Sequence, residues 1–268
     1  MSHLLIKPNL DQTTLQEVTT ASAGWRYIDF SVIQLKPGEQ HAFQALDDRE
    51  YCLTLLCGHA DIQVDDTSFD GLGDRSSVFE EKSPYAVYVP PCCQVSILAH
   101  DAIEVAISAA PAEGRFPPRL IEPEQMKRSV RGSGSNTRYI CDILPETAEA
   151  ESLLVVEVVT PAGNTSSYPP HKHDQQREHE TLLEETYYHR LNPPQGFAFQ
   201  RVYTGDRALD ETMAVENHDV VLVPKGYHPC GTVHGYDLYY LNTMAGPERR
   251  WQFFNDPDHA WLFQPTAA

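Results

Sequence analysis

Short apolar or alternating runs recur along the chain with turn residues between them: "WRYIDFSVIQL", "EYCLTLLCG", "ADIQVDD", "AVYVPP" and "IEVAISAAP", then "LLVVEVVTPAG", "GFAFQRVYTG", "DVVLVPKG" and "YDLYYLNTMAG". Runs of roughly four to eight residues rich in Val, Ile, Tyr and Phe, broken by Gly, Pro and Asp, predict strands. Helical periodicity is scarce. The clearest stretch is "EPEQMKRSV", whose acidic start and basic end suit a helix dipole, so a short helix is expected there. So many strands predict an all-β protein, a sandwich or barrel.

Between residues 110 and 138 the pattern gives way to "APAEGRFPPRLIEPEQMKRSVRGSGSNTR", rich in Pro, Gly, Ser and Arg, which reads as a connector between two β units. The two units resemble each other. "VIQLKPGEQHAF" lies near the start of one and "VEVVTPAGNTSSYPPHKH" near the start of the other; "YVPPCCQVSI" stands opposite "LVPKGYHPCG", and "ISAAP" opposite "NTMAGP". The expected domains are 1–115 and 116–268, the connector going with the second. Aligning Val89 on Val223 puts Gln94 opposite His228. Eight of the 12 histidines (171, 173, 179, 189, 218, 228, 234 and 259) follow residue 150, so the chemistry is expected in the second unit. The first keeps His41 and Glu50 at roughly matching places but lacks an HxH pair and the late histidine.

Charge narrows the partners. The 268 residues carry 20 Lys and Arg against 38 Asp and Glu, a formal charge of −18. Such a chain repels nucleic acid and anionic membrane surfaces, although local arginines can still hold a small anion. The N-terminus shows no basic run before an apolar core, and no run of ~18 apolar residues occurs, so a cytoplasmic protein is expected. The six cysteines form no CxxC pair and read as reduced, mostly buried small side chains, Cys92 and Cys93 included. Trp251, Phe253, Phe254 and Trp261 are expected to seal a barrel. Exposed sheet edges leave room for a homo-oligomer, which the charge opposes.

The densest chemistry is "SYPPHKHDQQREHETLLEETYYHR", residues 167–190. In a strand, His171 and His173 point to one face with Lys172 on the other, so two imidazoles can share one divalent cation. Glu185, opening the next apolar run, and His228, after a Pro-Lys-Gly turn, offer a third and a fourth ligand. Three imidazoles and a carboxylate leave open positions for Lewis-acid chemistry on Zn, Fe, Mn, Ni or Co.

"PPHKHD…LEETYY" followed by "VPKGYHP" resembles the two cupin motifs, HxH with a downstream Glu, then PxG with a nearby His. Glu185 follows His173 by 12 residues where a handful is usual, so "DQQREHETLLE" is expected to loop out, and Glu178, Glu180 and Glu184 compete for the ligand role. Along essentially the whole chain, and most closely from Tyr168 to Leu262, the sequence resembles the 5-deoxy-glucuronate isomerases of myo-inositol catabolism, which are similar to the pectin-pathway uronate isomerases. That resemblance implies two cupin barrels, His171, His173, Glu185 and His228 as metal ligands, and conversion of 5-deoxy-D-glucuronate to 5-dehydro-2-deoxy-D-gluconate without nicotinamide or flavin.

Such a reaction needs a proton carrier and a cation for the substrate carboxylate. Glu184, Tyr187, Tyr188, His189 and Lys225 are candidates for the first; alternation puts Tyr187 and His189 on the face of Glu185, ahead of Tyr188. Arg201, then Arg190 and Lys172, are candidates for the second. A cupin dioxygenase and a sugar-binding bicupin are the competing readings.

Overall fold

The computed structural model describes residues 2–263. It is all-β, as the strand pattern predicts, with four larger antiparallel sheets arranged as two barrels. In the first, a sheet containing Asp29–Leu35, Arg49–Cys57, Tyr85–Val89 and Ile103–Pro111 closes over a four-stranded sheet containing Ala60–Val64 and Gln94–Ala99. In the second, Leu154–Thr160, Glu184–Asn192, Val220–Val223 and Asp237–Ala245 close over a sheet containing Phe197–Tyr203 and Cys230–Thr232. The central strands pair in the same order in both, and the second barrel's sheet has one further edge strand. Arg49–Cys57 lies between Tyr85–Val89 and Ile103–Pro111, just as Glu184–Asn192 lies between Val220–Val223 and Asp237–Ala245.

Two short strands cross the expected boundary at residue 115. Leu5–Ile6 adds to Val220–Val223 in the second barrel, and Arg119–Ile121 adds to Tyr85–Val89 in the first. The helix expected in "EPEQMKRSV" does not form. A single turn spans Pro123–Gln125, and Lys127–Arg131 is a strand paired with Arg138–Leu144. The charges that suggested a helix dipole instead decorate an edge strand, where lysine and arginine are at home.

The large sheets of the two barrels pack face to face, so strand alternation separates two environments. On Glu184–Asn192, Glu185, Tyr187 and His189 point into the second barrel, whereas Glu184, Tyr188 and Arg190 bond groups of the first half. Glu184 accepts the backbone N–H groups of Arg26, Tyr27 and Ile28 at 2.7, 2.8 and 3.3 Å. Glu50 repeats this in reverse, accepting those of Glu151, Ser152 and Leu153. Glu50 is therefore the counterpart of Glu184 and not of a metal ligand. Its neighbour Tyr51 pairs with Val89 as Glu185 pairs with Val223. The first barrel's interior is filled by Tyr51, Leu53, Leu55, Val87, Val89, Val95 and Ile97, which leaves the polar interior to the second.

Candidate metal centre

The HxH segment, the start of Glu184–Asn192 and the turn before Cys230 meet inside the second barrel. His173 Nε2 and His228 Nε2 each lie 3.1 Å from Glu185 Oε2, and all three side chains are buried. Their donor atoms lie within 4.8 Å of one another. His171 adjoins them from the rim, its ring centroid 4.9 Å from that of His228 and 6.4 Å from that of His173, with Phe253 against its other side.

The hydrogen bonds behind the rings decide what the centre can hold. His173 Nδ1 faces the Leu183 carbonyl at 3.0 Å, and His228 Nδ1 faces that of Gly226 at 2.8 Å. A carbonyl only accepts, so each Nδ1 carries the hydrogen and each neutral ring turns its Nε2 lone pair toward Glu185. Two nitrogen lone pairs and a carboxylate oxygen then converge with no donor among them, which suits a cation. A proton is the alternative occupant. Burial alone would lower the His173 pKa, yet the Glu185 carboxylate raises it on balance. Burial would raise Glu185, but His228 and His173 bring it down to about 2. For His171, burial and the two neighbouring imidazoles hold the pKa well below the usual range, so the ring is neutral as a ligand must be.

Gly226 explains the Pro-Lys-Gly turn. It sits at φ +93°, and a Cβ there would meet the Tyr203 carbonyl at 2.5 Å, so only glycine allows the chain to turn and present His228.

Tyr187 lies over the donors, its ring 5.8 Å from that of His228, and its hydroxyl meets Ser167 Oγ at 2.8 Å. Ser167 lies 3.4 Å from the Tyr240 hydroxyl, which meets Ser166 Oγ at 2.6 Å. Tyr187, Ser167 and Tyr240, with Arg131, Arg138, Asn242 and Trp251, line a cavity that reaches His171 and Glu185. Roomier surface depressions around Val130 and around Lys7 carry no metal-donor cluster among the described residues. Sequence reasoning missed Ser167, Tyr240, Arg131 and Arg138. Alternation could have found Tyr240, which pairs directly with His189.

Several expected site residues lie elsewhere. His189 is on the cavity side but behind Tyr187, with Nε2 at 2.8 Å from Gln200 Oε1. Glu184 caps backbone of the first half, and Lys225 is exposed at the tip of its turn. Arg201 is held by Asp210 through two bonds of 2.7 Å on the outer face of its strand. Arg190 is held by Glu104 of the first half at 2.7 and 2.8 Å. Lys172 sits opposite His171 and His173 in parity, bound to Asp174 and, at 2.8 Å, to Glu180. Tyr188 bonds Glu104 and His218. Of the competing carboxylates, Glu178 is exposed and Glu180 is spent on Lys172 and the Asp174 N–H. His179 and His234 are exposed. Cys93 is buried, but Cys92 is exposed, contrary to expectation. Trp251 and Phe253 do border the site, whereas Trp261 is 64% exposed and seals nothing.

Comparison with known proteins places this geometry. The 5-deoxy-glucuronate isomerase of Geobacillus kaustophilus is 50% identical over 272 residues, covering 100% of this chain and 98% of that one. That of Bacillus subtilis is 45% identical over 271 residues, covering 98% of this chain and all of its own. The crystal structure of an IolB-like protein from Salmonella typhimurium superposes with a TM-score of 0.95 at 49% identity, covering 97% of this chain and 99% of that one. The oxalate decarboxylase of Lactobacillus farciminis, at a TM-score of 0.65 and 14% identity over 99% of this chain and 91% of its own, shares the fold. The family model described as KduI/IolB matches residues 4–262, and the chain belongs to the KduI/IolB family.

Proposed function

We propose that the protein is a metal-dependent aldose–ketose isomerase that converts 5-deoxy-D-glucuronate to 5-dehydro-2-deoxy-D-gluconate in the breakdown of myo-inositol. The observation that carries this is the convergence of two Nε2 lone pairs on Glu185 Oε2 inside a cavity lined by hydroxyls. His173, Glu185 and His228 would hold the cation, with His171 as the fourth ligand. A bound divalent cation supplies positive charge beside the substrate carbonyl and its neighbouring hydroxyl, which acidifies the C–H between them.

The chain's own groups manage the protons. Burial, reinforced by the Glu185 charge, pushes the Tyr187 phenol well above its ordinary pKa. Tyr187 therefore stays protonated and serves as donor to the oxygen that becomes a hydroxyl. Ser167 and Tyr240 form the path by which that proton is replaced. The side chains lining the cavity include no lysine and no carboxylate but Glu185, so the carbon-bound proton passes to the Glu185 oxygen that does not hold the cation. Aldose and ketose are isomers, so neither oxidant nor reductant enters. Metal-loaded protein should form the keto acid from 5-deoxy-D-glucuronate under argon. Failure under argon but turnover in air would favour the dioxygenase reading.

A further inference from the structure

An isomerase acting on a uronate must hold a carboxylate at the end of the carbon chain away from the reacting carbonyl. The cations favoured by sequence, Arg201, Arg190 and Lys172, are all committed to carboxylates of the protein. We propose that Arg131 and Arg138 form a carboxylate-binding subsite that seats the acid end of the substrate. The proposal deepens, and rests on, the isomerase reading.

Three observations carry it. First, Arg131 and Arg138 are direct cross-strand partners in the hairpin Lys127–Arg131 and Arg138–Leu144. Residues directly opposite share one face of a sheet, and two like charges there are destabilising unless an anion joins them. Second, both side chains line the cavity that reaches His171, Glu185 and Tyr187. Third, among the described residues neither guanidinium forms an ion pair, whereas the three cations favoured by sequence all do.

Both arginines are nevertheless braced. Arg138 donates to the Asn136 carbonyl at 3.0 Å, and Asn136 in turn donates to the Tyr168 carbonyl at 3.0 Å. The Arg131 guanidinium stacks on the Trp251 ring, 5.4 Å from its centroid. Burial, with a contribution from Arg131, lowers the Arg138 pKa, as befits a cation short of a counter-ion. A planar carboxylate offers two oxygens, which matches paired guanidinium forks better than a single ammonium.

The test uses the metal-loaded full chain with two substrates, 5-deoxy-D-glucuronate and its C6 alcohol, 5-deoxy-D-glucose. In Arg138→Gln and in Arg131→Gln, the KM for the acid should rise roughly 10- to 100-fold, the loss expected for a charge-assisted hydrogen bond, and by far more than kcat falls. The acid-over-alcohol ratio of kcat/KM should collapse toward one. Arg138→Lys should recover part of it, with metal content matching the parent throughout. Parent-like selectivity in both Gln variants would overturn the subsite. Should the parent isomerise neither compound, the isomerase reading fails, and calorimetric binding of D-glucuronate decides the subsite separately. Binding at least tenfold weaker in the Gln variants supports it, and equal binding overturns it.

Discussion

Asp174 Oδ2 accepts the backbone N–H of Gly226 at 2.8 Å, so the residue after the HxH pair holds the turn that presents His228. The Gly226 carbonyl takes the His228 Nδ1–H, and Lys172 and the Asp174 N–H are both gathered by Glu180. Asp174 thus fastens two metal-bearing segments to each other, and Lys172, expected from sequence to meet substrate, instead braces Asp174 from within its own segment. Removing such supporting bonds typically costs roughly 10- to 100-fold in metal affinity. Asp174→Ala should show that loss in a competition titration against a chromogenic chelator. An unchanged affinity would mean that the turn holds itself.

The two barrels are clamped by reciprocal caps. Loss of the Glu184 carboxylate leaves three N–H groups of the first half without their acceptor, each unmade bond costing about 1–3 kcal/mol. Glu184→Ala should lower the unfolding free energy by several kcal/mol, on the order of 3–5, and Glu50→Ala should act alike despite lying in the barrel without metal donors. Denaturant titration checks both. A near-neutral Glu50→Ala would show that its cap is dispensable.

Tyr187→Phe separates proton transfer from metal binding. Its hydroxyl bonds Ser167 and does not belong to the donor group. kcat should fall about 10²- to 10⁴-fold, the usual contribution of a positioned acid or base, while metal content is retained. Parent-like turnover would remove Tyr187 from the chemistry.

His189 gives the protein a pH-dependent stability term. Burial lowers its pKa from 6.5 to about 4, against a smaller opposing effect of the Gln200 contact. Between those values the unfolded chain binds the proton and the folded chain does not, so stability falls as pH drops through that window. The penalty, on the order of 3 kcal/mol, is absent above the unfolded value and complete below the folded one. His189→Gln should therefore flatten the acid limb of a plot of Tm against pH, provided Gln200 keeps a partner. An acid limb identical to the parent's would contradict this.

Strand alternation made much of this legible. It assigned Glu185, Tyr187 and His189 to one face because period two is the physical repeat of a strand. The same parity, applied to Phe197–Tyr203, would have put Arg201 outside, since the buried Ala198, Gln200 and Val202 alternate with it. The first half's role was hidden because Glu184 and Glu50 find their partners across a sheet-to-sheet interface, which no local pattern encodes. Arg131 and Arg138 were hidden for another reason. Their Pro- and Gly-rich surroundings read as a connector, yet a hairpin there forms one wall of the cavity.

The central claim is best tested by proton NMR of the metal-loaded protein with 5-deoxy-D-glucuronate in deuterated water, with and without a strong chelator. The expected result is the keto acid, carrying solvent deuterium at the carbon that gains a proton, and its loss on chelation. A metal-replete sample that leaves the substrate unchanged, or turnover indifferent to complete metal removal, would contradict the assignment.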